Sequence, residues 1–278
     1  MTNLRSLIAA WLAEDIGDGD HTTQATIPAA ATGRARLLVK QNGTLAGINL
    51  AKQIFHDYDG DLLISPKAND GDSVETGQVV LTVEGNQRSI LTTERLVLNC
   101  MQRMSGIATL TRKFVEAVRG TRATILDTRK TTPGFRLPEK EAVRIGGAGN
   151  HRFGLFDMIL VKDNHIDYAG GISKAISAAK EYLAKHHLDL KIEVEARTLD
   201  EVEEIISVGG VMRVLLDNFS PEKMKEAVKL VDRNIQTEAS GGITLENVRS
   251  YAETGVDFIS VGALTHSYQS LDLSLKAY

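Results

Sequence analysis

The stretch Leu190–Ala263, LKIEVEARTLDEVEEIISVGGVMRVLLDNFSPEKMKEAVKLVDRNIQTEASGGITLENVRSYAETGVDFISVGA, decides the fold. Short apolar runs begin near Leu190, Met212, Ile235 and Asp257, about 22 residues apart. That is the length of a tight strand–loop–helix unit. Between the runs, Leu199–Val208, Pro221–Asp232 and Leu245–Thr254 have the texture of helices. Two earlier runs, near Ala123 and Met158, and a helix at Ser173–His186 extend the series upstream. Each strand is mostly apolar, as expected when both faces are covered. The repetition predicts a parallel barrel or a doubly wound sheet.

In a barrel of this kind the reactive groups sit at the C-terminal ends of the strands. Those ends read, in order, Arg129-Lys130, Lys162, Glu193/Glu195, Asp217-Asn218, Ser240-Gly241-Gly242 and Gly262. Two cationic ends are followed by two acidic ends and then two glycine-rich ends. Ser240, Gly241 and Gly242 precede a helix expected to start near Thr244, so their N–H groups could face a phosphate there. Val261-Gly262-Ala263 could clamp the same phosphate. Glu195 and Asp217 lie on adjacent strands and offer hard oxygens suited to Mg²⁺ bridging a polyphosphate; they could equally pair with Lys162 or Lys130. Glu195 is preferred to Glu193 because it lies nearer the strand end.

The segment between the first two strand ends, Asp127–Ile166, concentrates the cations Arg129, Lys130, Arg136, Lys140, Arg144, His151, Arg152 and Lys162. Glu139-Lys140-Glu141 and Arg144 read as a solvated helical face of mixed sign. Arg129-Lys130 and His151-Arg152 have no acidic residue at helical spacing to neutralise them. Cations on loops at strand ends suit a carboxylate or phosphate, which Arg can grip bidentately. The site therefore calls for one phosphate, a metal-bound polyphosphate and a further anion. A phosphorylated ribose carrying a pyrophosphate meets the first two demands, and a small carboxylated acceptor the third.

Upstream, Leu4–Glu14 has one apolar helical face, and Asp15, Asp18 and Asp20 miss the register of a calcium loop. From Gly33 the chain is β-rich: Ala35–Lys40, Leu62–Ser65 and Gln78–Gly85 are strands, with a helix at Ile48–Asp57. GDSVETGQVVLTVEG resembles the hairpin of biotinyl and lipoyl carriers, but no lysine stands at its tip, so it reads as structural. Thr92–Val118 reads as one or two helices, with Arg103 among apolar positions where a charge needs a partner.

The chain has 278 residues, 42% hydrophobic and 24% charged, with net charge -4, an ordinary globular composition that does not favour nucleic acid. The single cysteine, Cys100, lies in an apolar run and reads as an inert thiol. Met1–Arg5 has no signal-peptide core and no run reaches membrane-spanning length. A soluble cytoplasmic protein, with no membrane partner, is expected.

In order along the chain, EDIGDGDHTT, LNCMQRMSGIAT, DTRKTTPGFR, GGAGNHRFGLFDMILVKDNHI, IEVEA, LLDN, EASGGI and TGVDFISVGALTHS resemble the quinolinate phosphoribosyltransferases, from about Glu14 to Ser267. The resemblance implies an α/β protein with an N-terminal α/β sandwich domain, 1–107 joined by 267–278, and an open, TIM-like α/β barrel, 108–266. It implies phosphoribosyl transfer from phosphoribosyl pyrophosphate to quinolinate with decarboxylation, in NAD synthesis, by a homodimer with shared sites. The family's quinolinate positions fall on Arg103 (of the neighbouring subunit), Arg129, His151, Arg152 and Lys162, with Thr128 and Lys130 beside them. Those for Mg²⁺ and ribose pyrophosphate fall on Glu195 and Asp217, and the 5′-phosphate loops on Ser240–Gly242 and Val261–Ala263. Lys130, Lys162, Glu195 and Asp217 are the expected catalytic groups, acting by charge and position. The loop Thr131–Arg136 is expected to close over the substrates. Rival readings are a relative of the same fold with another acceptor, and a barrel aldolase using Lys162 as a Schiff-base amine.

Overall fold

The computed structural model describes Asn3–Tyr278; Met1 and Thr2, where the leader reading and the expected first domain begin, lie outside the described residues. The chain starts with α1 (Leu4–Ile16), capped by the Asn3 side chain, and α2 (His21–Thr26), capped by Asp20. Next come β1 (Thr32–Val39), β2 (Gly43–Thr44), α3 (Ile48–Tyr58), β3 (Leu63–Pro66), β4 (Ser73–Val74), β5 (Val79–Asn86) and α4 (Gln87–Ala117). β6 (Thr124–Leu126), α5 (Arg136–Ile145), β7 (Ile159–Val161), α6 (Asp163–Ala169), α7 (Ile172–His186), β8 (Ile192–Ala196) and α8 (Leu199–Val208) follow. The chain ends with β9 (Arg213–Asp217), α9 (Pro221–Val231), β10 (Gln236–Ser240), α10 (Val248–Ala252), β11 (Phe258–Ser260), α11 (Ala263–His266) and β12 (Leu273–Ala277).

Contacts divide the chain into two units, the first made of 1–112, 131–147 and 264–278, the second of 113–130 and 148–263. The first holds an antiparallel sheet in the order β12-β1-β5-β3. Along β1 the side chains alternate, with Ala35, Leu37 and Val39 buried while Arg34 and Arg36 face out, as the two-residue period of a half-covered strand requires. From α3, Ile48, Ala51, Ile54 and Phe55 are buried at helical spacing.

The C-terminal segment docks on α4: Leu271 N–H donates to Gln102 O at 2.9 Å, and Gln102 Nε2 to Leu273 O at 2.8 Å. Gly106 makes this approach possible, since a Cβ there would stand 2.2 Å from Gln269 O. The boundaries differ from 1–107/108–266. Segment 131–147 groups with the first unit because Arg103 and Glu139 bind each other at 2.6 Å.

The second unit is a six-stranded parallel sheet in the order β7-β8-β9-β10-β11-β6. Consecutive strands are neighbours from β7 to β11, and β11 then takes β6, the first of the series, as its partner. That is the pairing of a barrel, left open because β6 and β7 are the ends of the order. Helices α7, α8 and α9 alternate with its strands, each burying one apolar stripe, such as Val202 and Ile205 on α8. The expected strands all form, within one or two residues of where the apolar runs begin.

Thr92–Val118, read as one or two helices, lies along one 31-residue helix that ends at Ala117. Several local expectations are corrected. The helix expected over Leu245–Thr254 shrinks to α10, preceded by a turn in which Thr244 N–H donates to Asn247 Oδ1. Glu139 and Lys140 on α5 are not a solvated face: they are 0% and 3% exposed. Nor are the strands clad in apolar side chains on both faces. Glu193, Glu195, Arg213 and Glu238 are all buried on β8, β9 and β10. Asp20 acts as the cap of α2.

Candidate active site at the strand ends of the parallel unit

β6 runs into Asp127-Thr128-Arg129-Lys130, where Thr128 Oγ1 accepts the Lys130 N–H at 3.0 Å and fixes the turn. Beside it lies the loop carrying His151 and Arg152. Gly149 makes a parallel bridge to Leu126, with its N–H donated to Ile125 O at 2.9 Å. The buried Asp127 carboxylate then accepts the His151 N–H at 2.8 Å and Asn150 Nδ2 at 2.7 Å. This sets Arg152 against Arg129. Burial lowers the pKa of the Arg152 guanidinium, and the charge of Arg129 lowers it further. Two like charges held together in a half-buried place form a site that an anion would relieve. Lys162, exposed, follows β7 at the start of α6 and donates its N–H to His165 Nδ1 at 3.0 Å.

The opposite arrangement stands on β8 and β9. Burial raises the pKa of Glu195, and the Asp217 carboxylate raises it further, against the pull of Lys162. Two carboxylates that repel each other suit a hard divalent cation, so the donor set fits Mg²⁺. Asp217 is held by Asn218, whose Nδ2 donates to Asp217 Oδ2 at 2.6 Å. The glycine loop after β10 closes on this corner, with Asn218 N–H donating to Ser240 O at 2.9 Å. Gly241 has φ +96°, and a Cβ there would lie 2.2 Å from Asn218 Oδ1, so both conformation and space demand glycine.

The helix expected to start at Thr244 starts instead at Val248. Ser240, Gly241 and Gly242 therefore offer a loop, not a helix N-terminus. Val261, Gly262 and Ala263 follow β11 and lead into the four-residue α11.

Beneath the strand ends lies a cluster that the sequence did not single out. His151 Nε2 is 3.1 Å from Glu193 Oε2 and 3.4 Å from Glu238 Oε1. Glu238 Oε2 accepts Arg213 Nη1 at 2.6 Å, and Arg213 lies 4.0 Å from the centre of the Phe258 ring. Burial opposes charge on the imidazole, but Glu193 and Glu238 outweigh it and raise the His151 pKa to about 9. The Arg152 N–H at 2.7 Å takes the Nδ1 lone pair and works against that rise. Burial and then the Glu238 charge push Glu193 up, whereas His151 and Arg213 outweigh burial at Glu238 and hold it down. A signal for this cluster was present: charges two apart in IEVEA, and others in RVLLD and TEAS, inside strands otherwise apolar.

Arg103 lies in the first unit, on α4. Its Nη2 is 2.6 Å and its Nε 2.9 Å from Glu139 Oε1; it also donates to Thr132 Oγ1 and stacks over Phe135 and Tyr268 at 5.4 and 5.1 Å. Glu139 Oε2 takes the Thr132 N–H at 3.0 Å, so the Thr131–Arg136 loop is tied to Arg103 through this carboxylate. Arg103, Thr132 and Phe135 border a cavity of about 570 Å³ that Trp11, Asn99 and Pro133 also line. Cys100 is buried and burial pushes its thiol up to about 12, in agreement with an inert thiol. Among the described residues no helix is long and apolar enough to cross a membrane.

Comparison with known proteins agrees with this geometry. Residues 20–105 match the N-terminal domain, and residues 107–276 the C-terminal domain, of quinolinate phosphoribosyl transferase. A Nicotiana tabacum protein named quinolinate phosphoribosyltransferase [decarboxylating] 1b is 47% identical over 99% of this chain and 82% of its own length. A probable nicotinate-nucleotide pyrophosphorylase [carboxylating] from Synechocystis sp. is 45% identical over 96% of this chain and 90% of its own. The crystal structure of NadC from Streptococcus pyogenes superposes with TM-score 0.91 at 38% identity, over 98% of this chain and 95% of that one. The chain belongs to the quinolinate phosphoribosyltransferase family.

Proposed function

We propose that this protein transfers the phosphoribosyl group of phosphoribosyl pyrophosphate to quinolinate and releases CO₂, giving nicotinate mononucleotide for de novo NAD synthesis. The observation that carries the reading is the pairing of opposite needs: Arg129 beside Arg152 calls for an anion, and Glu195 beside Asp217 for a cation. Quinolinate is a dianion, and Arg129, His151, Arg152 and Lys162, with Thr128 and Lys130 beside them, form its binding set. Glu195 and Asp217 would hold Mg²⁺ with the pyrophosphate, and Ser240–Gly242 and Val261–Ala263 would hold the 5′-phosphate. Bound there, the ion would neutralise charge on the departing pyrophosphate.

The chain's own contribution is position and charge. Lys130 and Lys162 neutralise the acceptor's carboxylates so that the ring nitrogen can approach C1′ as the bond to pyrophosphate breaks. The nitrogen, now cationic, stabilises by its charge the electron pair left on C2 when the adjacent carboxylate departs as CO₂, and that pair then takes a proton from water. Neither an amine nucleophile nor a general base is required, which separates this reading from an aldolase.

A homodimer in which the partner subunit's Arg103 serves each site belongs to the same proposal, as does a cytoplasmic setting. The partly exposed guanidinium beside a wide cavity supports the first, and the single buried thiol suits the second. The test is an assay with quinolinate, phosphoribosyl pyrophosphate and Mg²⁺ that follows nicotinate mononucleotide and CO₂. Product from quinolinate, none from nicotinate and none without Mg²⁺ is the expected result. Absence of product from the folded dimer would overturn the reading. Mixed dimers of Arg103→Ala and Arg152→Ala subunits should regain activity that neither parent has; failure to regain it would remove Arg103 from the partner's site.

A further inference from the structure

The Arg103 guanidinium is held along one edge. Nε and Nη2 donate to Glu139 Oε1 at 2.9 and 2.6 Å, and Nη2 also donates to Thr132 Oγ1. The second oxygen, Glu139 Oε2, accepts the Thr132 N–H at 3.0 Å, so the carboxylate is itself fixed, and it is 0% exposed. The ring centres of Phe135 and Tyr268 lie 5.4 and 5.1 Å from the guanidinium carbon. Among the described residues nothing accepts a hydrogen bond from Nη1.

We propose that Glu139 is a positioning residue: it fixes Arg103 so that Nη1, with its two N–H groups, is the nitrogen offered to the acceptor in the partner subunit. The inference rests on the reading that Arg103 serves the partner's site. Arginine is among the side chains with most rotamer freedom to lose. A guanidinium that is already held loses none of it again when an anion arrives.

The cavity beside Arg103 shows what the hold prevents. Glu14 and Asp15 line it too, and both are exposed. A guanidinium released from Glu139 has these carboxylates as competing partners in place of the acceptor. Glu139 therefore acts in two opposed directions. Its charge weakens the pull of Arg103 on an anion, and its grip keeps the guanidinium in one plane. Water reaches Arg103, whose side chain is 29% exposed, and screens the charge. Grip is then the larger effect.

The test uses mixed dimers with one working site. One subunit carries Arg152→Ala and keeps Arg103. The other carries Arg103→Ala and keeps its acceptor site, which the first subunit's Arg103 serves. Glu139→Ala is added to one subunit or to the other, so the two dimers contain the same substitutions in total. On the Arg152→Ala subunit it should raise the quinolinate KM by about 10-fold, the usual contribution of one hydrogen bond to a charged group. On the Arg103→Ala subunit it should leave that KM within about 2-fold of the parent mixed dimer, since no shared partner links it to the working site. The phosphoribosyl pyrophosphate KM should hold in both. Thr132→Val removes only the Oγ1 acceptor and should follow the same placement with a rise of about 3-fold; it reads the same geometry if Glu139→Ala dimers do not assemble.

Equal rises in the two placements would make Glu139 a merely structural residue. A larger rise on the subunit that holds the working site would make it an anchor of the Thr131–Arg136 loop. Either result overturns the inference, and so does a lower KM, which would mean that charge outweighs grip. An inactive parent mixed dimer would remove Arg103 from the partner's site and the inference with it. An active parent that does not respond to Glu139→Ala would overturn the inference and leave the dimer reading standing.

Discussion

Two buried carboxylates each hold an arginine in this protein, and their settings differ. In the first unit Glu139 binds Arg103, whose side chain remains 29% exposed and is flanked by aromatic rings and the Thr132 hydroxyl. In the second, Glu238 binds Arg213 inside the barrel, where the two side chains are 0% and 11% exposed and a second carboxylate, Glu193, lies behind the shared imidazole. The first pair has water at hand and ties a loop to a helix. The second has little, so each charge depends on the next, and removing one member leaves the others stranded. Both pairs close to 2.6 Å; the reach of solvent separates them.

That contrast is easiest to break at Glu238. Glu238→Ala leaves Arg213 buried and unpaired and should cost about 3–5 kcal/mol of stability, read by urea unfolding; a cost as small as that of a surface change would show that water reaches Arg213. Arg129→Ala probes a charge whose partner is a ligand. Quinolinate kcat/KM should fall by a factor corresponding to about 1.5–3 kcal/mol, with the phosphoribosyl pyrophosphate KM retained. Folding stability should hold or rise, because repulsion with Arg152 is relieved. Equal damage to both substrates would remove Arg129 from the acceptor site.

At Glu139 the same truncation should cost less than at Glu238, about 1–3 kcal/mol, since Arg103 can turn to water; a larger cost than at Glu238 would reverse the comparison. The smallest effect is at a half-buried carboxylate. Thr23 hydrogen bonds to Asp20 hold its pKa below the usual 3.8. A depressed folded pKa stabilises above the unfolded value, and the gain is lost as pH falls through the folded one. Asp20→Ala should therefore cost about 1 kcal/mol at neutral pH, and the difference from wild type should vanish as the pH drops below 3.8 toward the lower folded value.

The strand ends were legible because each is a local event. An apolar run followed by Arg129-Lys130, Lys162 or Ser240-Gly241-Gly242 shows where a strand stops and what it presents. The helix boundary after Gly242 was not, because Thr244 and Asn247 close a turn whose side-chain hydrogen bond competes with the helix. Glu139 and Lys140 were misread for a related reason. Their spacing is that of any charged helical face, and only the approach of Arg103, 36 residues earlier, turns Glu139 inward.

The sequence by itself determined the alternation of strands and helices, the cationic, acidic and glycine-rich strand ends, and the resemblance to a family. All of these are written in periodicity and in neighbouring residues. Only the tertiary structure decided which charges are buried and with whom. His151, Glu193, Arg213 and Glu238 come from three strands and a loop spanning residues 151–238, and they meet because parallel pairing brings those strands side by side. A charge in an apolar strand announces that a partner must exist, since burial without one is too costly. Its identity depends on strand order and register, which are set by packing over the whole sheet and by no local run of residues.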